Sequence, residues 1–280
     1  MVALKRYFVI ACLLAFLWPD TLLAVERVFD ISTLSRVSEN GKVEIVLTIK
    51  NIARRALYNI QPIFHFHHSM YKMPLVPLME AGAIINQKTF AHPSVLRVGR
   101  YPIMAVLQYR SSADEKTTLS QTHASSFYFL EPVLSVVDGK LTSRKEAGTH
   151  LLEVQLNNNS SSLKNIRVML LLPPELAARN FTGMMGFTMR PGEQKYFEVA
   201  ISKLAGKPGG DYQVHLMVEY AEALKHYASV IPGEIHFALS WRDGGKWAQQ
   251  LVFLFLFCSI IWFVKKKSRG PSRQAGYPSQ

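Results

Sequence analysis

The stretch that decides the fold is VEIVLTIKN at residues 43–51, together with LEVQLNNN at residues 152–159. In both stretches apolar residues occupy every second position, and both end in asparagine. Successive side chains of a β-strand point to opposite faces, so this pattern places one set on a buried face and the other toward solvent. Each stretch therefore predicts a half-buried strand that is followed by a turn.

The surrounding sequence repeats as well, with the two copies roughly 107 residues apart. Three short sequence motifs recur in the same order in both copies. The last motif of each copy continues into a further run of alternating apolar residues. The pairs are LYNI at 57–60 with LKNI at 163–166, QKTF at 87–90 with QKYF at 194–197, and GRYPI at 99–103 with GDYQV at 210–214. A repeat of this length indicates two copies of one structural unit.

Short alternating strands separated by Gly, Pro and Asn turns are typical of an all-β sandwich. The sequence predicts one sandwich over residues 25–129 and a second over residues 130–240, with the seam near Glu131-Pro132. The tyrosines of the two Gly-x-Tyr phrases, Tyr101 and Tyr212, are expected to pin a strand to a loop, as a sandwich corner tyrosine does.

The second copy resembles bacterial Ig-like modules, namely the NPCBM-associated module of alpha-galactosidases and the cell-adhesion-related domain found in bacteria. The resemblance rests on the phrases above, on PPEL at 173–176 and on RPGE at 190–193, and it extends from Leu130 to Phe237. The first copy has Glu80-Ala81-Gly82 where the second has Pro-Gly-Glu. The resemblance implies two tandem Ig-like domains, which in such families serve as spacers or binding domains and in some chains precede a terminal membrane helix.

The N-terminus has the parts of a secretory signal. Lys5 and Arg6 precede a short apolar run, and Ala24 stands where a cleavage site would end. The run is shorter than the ~20 residues that a bilayer span needs. Residues 1–24 are therefore predicted to be a signal peptide, with an uncleaved N-terminal anchor as the alternative.

The C-terminus has the pattern of a membrane anchor. Residues 247–264 are almost entirely apolar, with Trp247 and Trp262 near the two ends, and a cluster of lysines follows from Lys265. Positive charge beside a span stays on the cytoplasmic side. The sequence predicts a linker at 241–246, a transmembrane helix at 247–264 and a basic cytoplasmic tail at 265–280, with residues 247–269 in contact with lipid. The body would then be extracytoplasmic on a single-pass inner-membrane protein.

Charge and cysteine content narrow the functional classes. The formal net charge of the whole chain is +12, but residues 25–246 carry 25 Lys and Arg against 19 Asp and Glu, a net of +6, and much of the rest flanks the predicted membrane segments. No basic stripe with interleaved aromatics is present, so we expect no nucleic-acid partner. The two cysteines, Cys12 and Cys258, lie in the predicted signal and span, and the body therefore has no internal disulfide.

One group of residues suits a metal. The sequence HFHHSMYKM places His65, His67 and His68 close to Met70 and Met73. On a strand, His65 and His67 share a face, and imidazole with thioether donors favours copper, with zinc as the other candidate. Methionine is also a common filler of cores, so a structural role for these residues is the competing interpretation.

No catalytic constellation is present. The sequence has no Gly-x-Ser-x-Gly elbow and no phosphate loop, and its carboxylates form no evident pair. We therefore expect a non-enzymatic protein without a cofactor that acts as a scaffold for a protein partner in the envelope. The alternatives are a periplasmic copper or zinc carrier that uses His65–His68 with Met70 and Met73, and a glycan-binding module that uses exposed aromatic residues.

Overall fold

The computed structural model describes residues 27–66, 69–91, 94–206 and 209–238, together with Phe255 and Ser259. The body consists of β-strands, so the prediction of an all-β fold with sandwich-like sheets is confirmed. The strands are β1 (Phe29–Val37), β2 (Val43–Asn51), β3 (Leu57–Phe66), β4 (Ser69–Lys72), β5 (Val76–Met79), β6 (Ile84–Ala91), β7 (Gly99–Arg110), β8 (Leu119–Phe129), β9 (Val137–Glu146), β10 (Thr149–Asn158), β11 (Lys164–Leu171), β12 (Leu176–Ala178), β13 (Met184–Met189), β14 (Gln194–Lys203), β15 (Gly210–Glu222) and β16 (Lys225–Phe237).

The strands of the N-terminal half, β1 to β8, pair in two groups. Strands β1, β2 and β6 form a three-stranded antiparallel sheet. Strand β3 pairs with β4, β5 and β7, and β7 pairs with β8 along its length. The inward residues of β2, which include Ile45 and Leu47, are buried in one core with residues of β3 and β7.

The strands of the C-terminal half, β9 to β16, repeat this pairing. Strands β9, β10 and β14 form a sheet in the order of β1, β2 and β6, with the short β12 added beyond β14. Strand β11 pairs with β13 and β15, as β3 pairs with β5 and β7. The alternation in β10 has the expected effect, since Leu152, Val154 and Leu156 are fully buried.

The two halves meet at a junction. A nine-stranded sheet runs through both, because His226 of β16 pairs with Gly99 at the start of β7. Gly99 has φ of +150°, and a Cβ there would lie 1.9 Å from the carbonyl oxygen of His226, so only glycine permits this approach. Beside this contact, Met104, Leu171 and Met217 form a small buried cluster between strands of the two halves.

The described residues through His236 form one compact unit. The predicted signal peptide at 1–24, the linker at 241–246 and the basic tail at 265–280 lie outside the described residues, as does the predicted span at 247–264 apart from Phe255 and Ser259. Within the part of the chain that the structure describes, no helix is long and apolar enough to cross a bilayer.

Candidate functional site

His65 lies on the junction side of β3. Its neighbours Phe64 and Phe66 point into the core of the N-terminal half, where both are almost fully buried. Alternation along the strand therefore turns the imidazole of His65 to the opposite face, where it is half-buried. Burial lowers the pKa of His65, so its imidazole is neutral at neutral pH.

Two methionines flank His65 in register. Met70 of β4 is its partner on one side, and Met104 of β7 is its partner on the other. Directly paired residues of neighbouring antiparallel strands share a face of the sheet. Met70, His65 and Met104 therefore form a row across three adjacent strands, with Met70 largely exposed and Met104 buried.

The structure brings together only part of the set that the sequence suggested for a metal. Met73 belongs to the apolar core of the N-terminal half with Phe64 and Phe66, on the other side of the sheet from His65. His67 and His68 lie outside the described residues. Across the described ranges, no group of three or more His, Cys, Asp or Glu side chains is placed to hold a metal ion.

Met104 is absent from the metal-binding set that the sequence predicted, because it stands 39 residues from His65 in the sequence. Its own segment, the alternating run after Gly99, predicts only a buried strand. The pairing of β3 with β7 is a tertiary feature, and nothing local to either segment gives the register that sets Met104 opposite His65.

A cavity of about 270 Å³ opens beside this row at the junction. Thr122 of β8 contributes to its wall, and the hydroxyl of Thr122 is buried without a hydrogen-bond partner in the described part of the chain. The lining consists of His65, Met104, Val106, Thr122, Leu170, Leu171, Leu172, Leu176, Ala177, Ala178, Phe181 and Gly183. The side chains that line the cavity are thus apolar apart from an imidazole, a thioether and a hydroxyl.

A second group of polar residues lies where β16 meets β7. The ring of His226 stacks on that of Tyr101, with centroids 4.4 Å apart, and its Nδ1 lies 2.7 Å from the carbonyl oxygen of Arg100. The hydroxyl of Tyr101 donates to the carbonyl of Arg97, which confirms the predicted pinning role of this tyrosine. Glu219 of β15 lies 3.7 Å from Nε2 of His226, and burial raises the pKa of Glu219 to about 7.

The outer face of the sheet formed by β9, β10 and β14 carries a network of charges. Arg144 donates hydrogen bonds to three carboxylates, those of Glu146, Glu153 and Glu198. Glu153 and Glu198 are direct cross-strand partners, a pairing that the sequence had not revealed. The hydroxyl of Tyr196 donates to Glu198, which raises the pKa of Tyr196 to about 12, and its ring remains exposed.

Four highly exposed leucines lie around the junction. The largest exposed fractions among the large apolar residues described are those of Leu96 at 85%, Leu224 at 84%, Leu130 at 78% and Leu134 at 71%. Two contacts bring their segments together. The amide of His226 donates to the carbonyl of Val98, and Lys225 forms an ion pair with Glu131.

No family model matches the chain, and no curated protein matches it. Among solved structures it is similar to the alpha-2-macroglobulin of Escherichia coli, at 10% identity and a TM-score of 0.26 over 73% of this chain and 17% of that one. It is also similar to Salmonella alpha-2-macroglobulin, at 14% identity and a TM-score of 0.31 over 77% of this chain and 16% of that one. A Porphyromonas gingivalis protein of unknown function matches at 12% identity and a TM-score of 0.30, over 75% of this chain and 100% of its own.

The chain thus spans less than a fifth of each of these two macroglobulins. At these identities and TM-scores the likenesses carry no argument about function. The class that the fold itself defines is an all-β protein built from sandwich-like sheets.

Proposed function

We propose that this protein is a non-catalytic scaffold, anchored in the inner membrane by residues 247–264 and exported by the signal at 1–24. Two tandem Ig-like sandwiches, at 25–129 and 130–240, would stand outside the cytoplasm and present a surface to a protein partner of the envelope. The linker at 241–246 would hold the body close to the bilayer, and the tail at 265–280 would fix the orientation through its positive charge.

The observation that carries this proposal is the backbone conformation of Leu130 and Leu224. Both have φ of +65°, in the left-handed region that favours glycine and is rare for a bulky residue. Both side chains are also exposed, so burial does not offset the strain. Strained residues of this kind cluster at functional sites.

The other exposed leucines enlarge this surface. Leu96 lies two residues before Val98, whose carbonyl accepts from the amide of His226, and Leu224 lies two residues before His226. Leu134 follows in the segment between β8 and β9. Exposed apolar groups gathered in one region mark protein interaction surfaces, and a partner that covers these leucines would remove about 1.5–3 kcal/mol of unfavourable hydration for each one fully buried.

Replacement of the leucines by glycine separates a binding role from a structural role. Leu130→Gly and Leu224→Gly relieve the left-handed strain, so the free energy of unfolding should stay the same or rise. Crosslinking of the full-length protein in its native membrane should lose the partner band that the wild type forms. Leu204→Ser, at an exposed leucine that does not belong to this set, is the control and should keep the band.

Two results would contradict the scaffold. One is a crosslinked band that is unchanged in the double glycine variant. The other is a protease protection pattern in sealed vesicles that places residues 25–240 on the cytoplasmic side.

A second candidate, glycan binding, is favoured by the fixed and exposed ring of Tyr196 beside Arg144, Glu153 and Glu198. A flat aromatic ring can stack on a sugar, and the flanking charges can bond its hydroxyls. Tyr196→Ala should then abolish retention in gels cast with envelope polysaccharide. Tyr128→Ala, at an exposed tyrosine of β8, is the control, and equal migration of both variants and the wild type would exclude this candidate.

A further inference from the structure

The row formed by Met70, His65 and Met104 has the composition of a site for a soft monovalent metal. We propose that these three side chains bind one cuprous ion at the mouth of the junction cavity. This inference goes beyond the scaffold function and does not depend on it.

The positions of the three side chains support a common ligand. Directly opposed residues in antiparallel strands have Cβ atoms about 4.5–5.5 Å apart, and His65 is opposed by Met70 on one side and by Met104 on the other. Methionine has three rotatable bonds and adapts its sulfur to irregular surroundings. Both sulfurs can therefore approach an ion that is held at the central imidazole.

The cavity supplies space beside the row. His65 and Met104 both line it, and its volume of about 270 Å³ exceeds the space that a single ion needs. Within the described residues, the imidazole of His65 makes no hydrogen bond, so its ring nitrogens are available to a ligand. The exposed Met70 offers an entry for the ion from solvent.

The donor set discriminates among metals. Thioether sulfur and neutral imidazole are soft or intermediate donors, and the thioether selects Cu(I). Zinc sites use Cys, His and carboxylate ligands, and calcium and magnesium sites use oxygen ligands. The described lining of the cavity has no Asp, Glu or Cys side chain. With three neutral donors, a cuprous complex would carry a single positive charge. A largely apolar wall tolerates one positive charge better than the two charges of a divalent ion.

Met73 provides a matched control. It lies closer to His65 in sequence than Met104 does, and it is buried, but its side chain packs in the core on the other side of β3. A loss of copper binding that follows general damage to the fold would appear in Met73→Leu as readily as in Met104→Leu. A loss of copper binding that follows removal of a ligand would appear in Met104→Leu and not in Met73→Leu.

The test is a titration of the full-length protein, purified in detergent and stripped of metal, with Cu(I) under anaerobic conditions and ascorbate. Bicinchoninate serves as the competing chromophoric chelator. The wild type should take up one equivalent of copper. His65→Ala, Met70→Leu and Met104→Leu should each weaken binding by at least about tenfold, since loss of even an outer-shell partner of a metal site weakens binding by about 10–100-fold. Met73→Leu should bind as the wild type does.

Copper K-edge absorption should show sulfur and nitrogen scatterers in the wild type and the loss of nitrogen in His65→Ala. Thermal unfolding of each variant verifies that it is folded, and the exposed position of Met70 keeps one ligand variant free of core damage. The proposal is overturned if folded Met70→Leu and His65→Ala retain wild-type affinity. It is also overturned if Met73→Leu loses as much affinity as Met104→Leu, or if the bound copper has no sulfur neighbour.

Discussion

Asn51 and Asn158 make the same hydrogen bonds in the two halves of the chain. Each is fully buried at the end of the second strand of its half, and each Nδ2 donates to three backbone carbonyls, while Oδ1 accepts an amide two residues later. The carbonyls belong to Arg55, Met79 and Glu80 for Asn51, and to Ser162, Met189 and Arg190 for Asn158.

The backbone of the two asparagines is held in the same way. The amide of Asn51 donates to Ala83, and its carbonyl accepts from Gly82. The amide of Asn158 donates to Glu193, and its carbonyl accepts from Gly192. Each asparagine thus joins the loop after its own strand to the turn before the third strand of its sheet.

We predict that Asn158→Ala lowers the free energy of unfolding by about 3 kcal/mol, because it removes all the hydrogen bonds of a buried carboxamide. Asn51→Ala should have a similar effect in the N-terminal half. Urea denaturation with a global probe measures both. Asn159→Ala, at the exposed neighbouring asparagine, should change stability by less than about 0.5 kcal/mol. Equal losses in Asn158→Ala and Asn159→Ala would show that the carboxamide of Asn158 has no special role.

The sequence was enough to predict much of this arrangement. Alternation in residues 43–51 and 152–159 gave the strands and their buried faces, and the terminal asparagines marked the turns. The missing Pro-Gly-Glu of the first copy did not change the contact, because Glu80-Ala81-Gly82 supplies the same glycine with positive φ. Local patterns carry such information because each strand buries one face against its own half.

The junction and the metal row could not be predicted in the same way. They depend on which strands become neighbours, and pairing between distant segments leaves no periodic signal in either segment. His226 gives no sign in the sequence that it will pair with Gly99, and Met104 gives none that it will oppose His65. The prediction that Met73 joins His65 at a metal followed sequence proximity, whereas the pleat of the sheet separates the two side chains.

Gly99→Ala should disrupt the junction. The added methyl group would overlap the carbonyl of His226, and backbone cannot move aside as a flexible side chain could. We expect a loss of about 3 kcal/mol or more in the free energy of unfolding. Amide exchange at His226, which donates to Val98, should also accelerate.

Gly148→Ala is the control for the backbone strain alone. Its φ is +83°, and no atom lies within 4 Å of the position of an added Cβ. Gly148→Ala should lower the free energy of unfolding by about 1–2 kcal/mol and leave amide exchange at His226 unchanged. A smaller loss for Gly99→Ala than for Gly148→Ala would contradict the close approach of β7 and β16.

Two buried groups on β15 should give opposite pH dependences of stability. Burial raises the pKa of Glu219 from 4.5 to about 7, against the attraction of Arg167 on β11 and near His226 on β16. Its contribution to stability is fully present below pH ~4.5 and is lost as the pH rises through about 7. Burial, with the nearby His123, lowers the pKa of His215 from 6.5 to about 4. Its contribution is present above pH ~6.5 and is lost as the pH falls through about 4.

The difference in unfolding free energy between each variant and the wild type isolates these groups. The free energy of unfolding of Glu219→Gln should rise by about 3 kcal/mol relative to that of the wild type as the pH rises from ~4.5 to ~7. The free energy of unfolding of His215→Gln should fall by about 3 kcal/mol relative to that of the wild type as the pH rises from ~4 to ~6.5. Urea denaturation at half-unit steps of pH measures both curves. Difference curves of the same sign would contradict the burial of one of the two groups.

The hydroxyl of Ser120 on β8 connects the two halves, since it donates to Oε2 of the buried Glu175 at 2.6 Å. Burial raises the pKa of Glu175, and this hydrogen bond opposes the rise. Ser120→Ala should therefore raise the pKa of Glu175 further. At pH 8 the loss of stability in Ser120→Ala should be about 2 kcal/mol, because a hydrogen bond to an ionised carboxylate contributes about 1.5–3 kcal/mol.

The loss in Ser120→Ala should shrink at pH 4, because a protonated carboxyl makes a weaker bond with the hydroxyl and is less harmed by its absence. Ser125→Ala on the same strand removes a bond between two neutral hydroxyls, that with Thr33. It should cost about 1 kcal/mol at both pH values. If Ser120→Ala shows the same loss at pH 4 and pH 8, the hydroxyl does not hold a charged carboxylate.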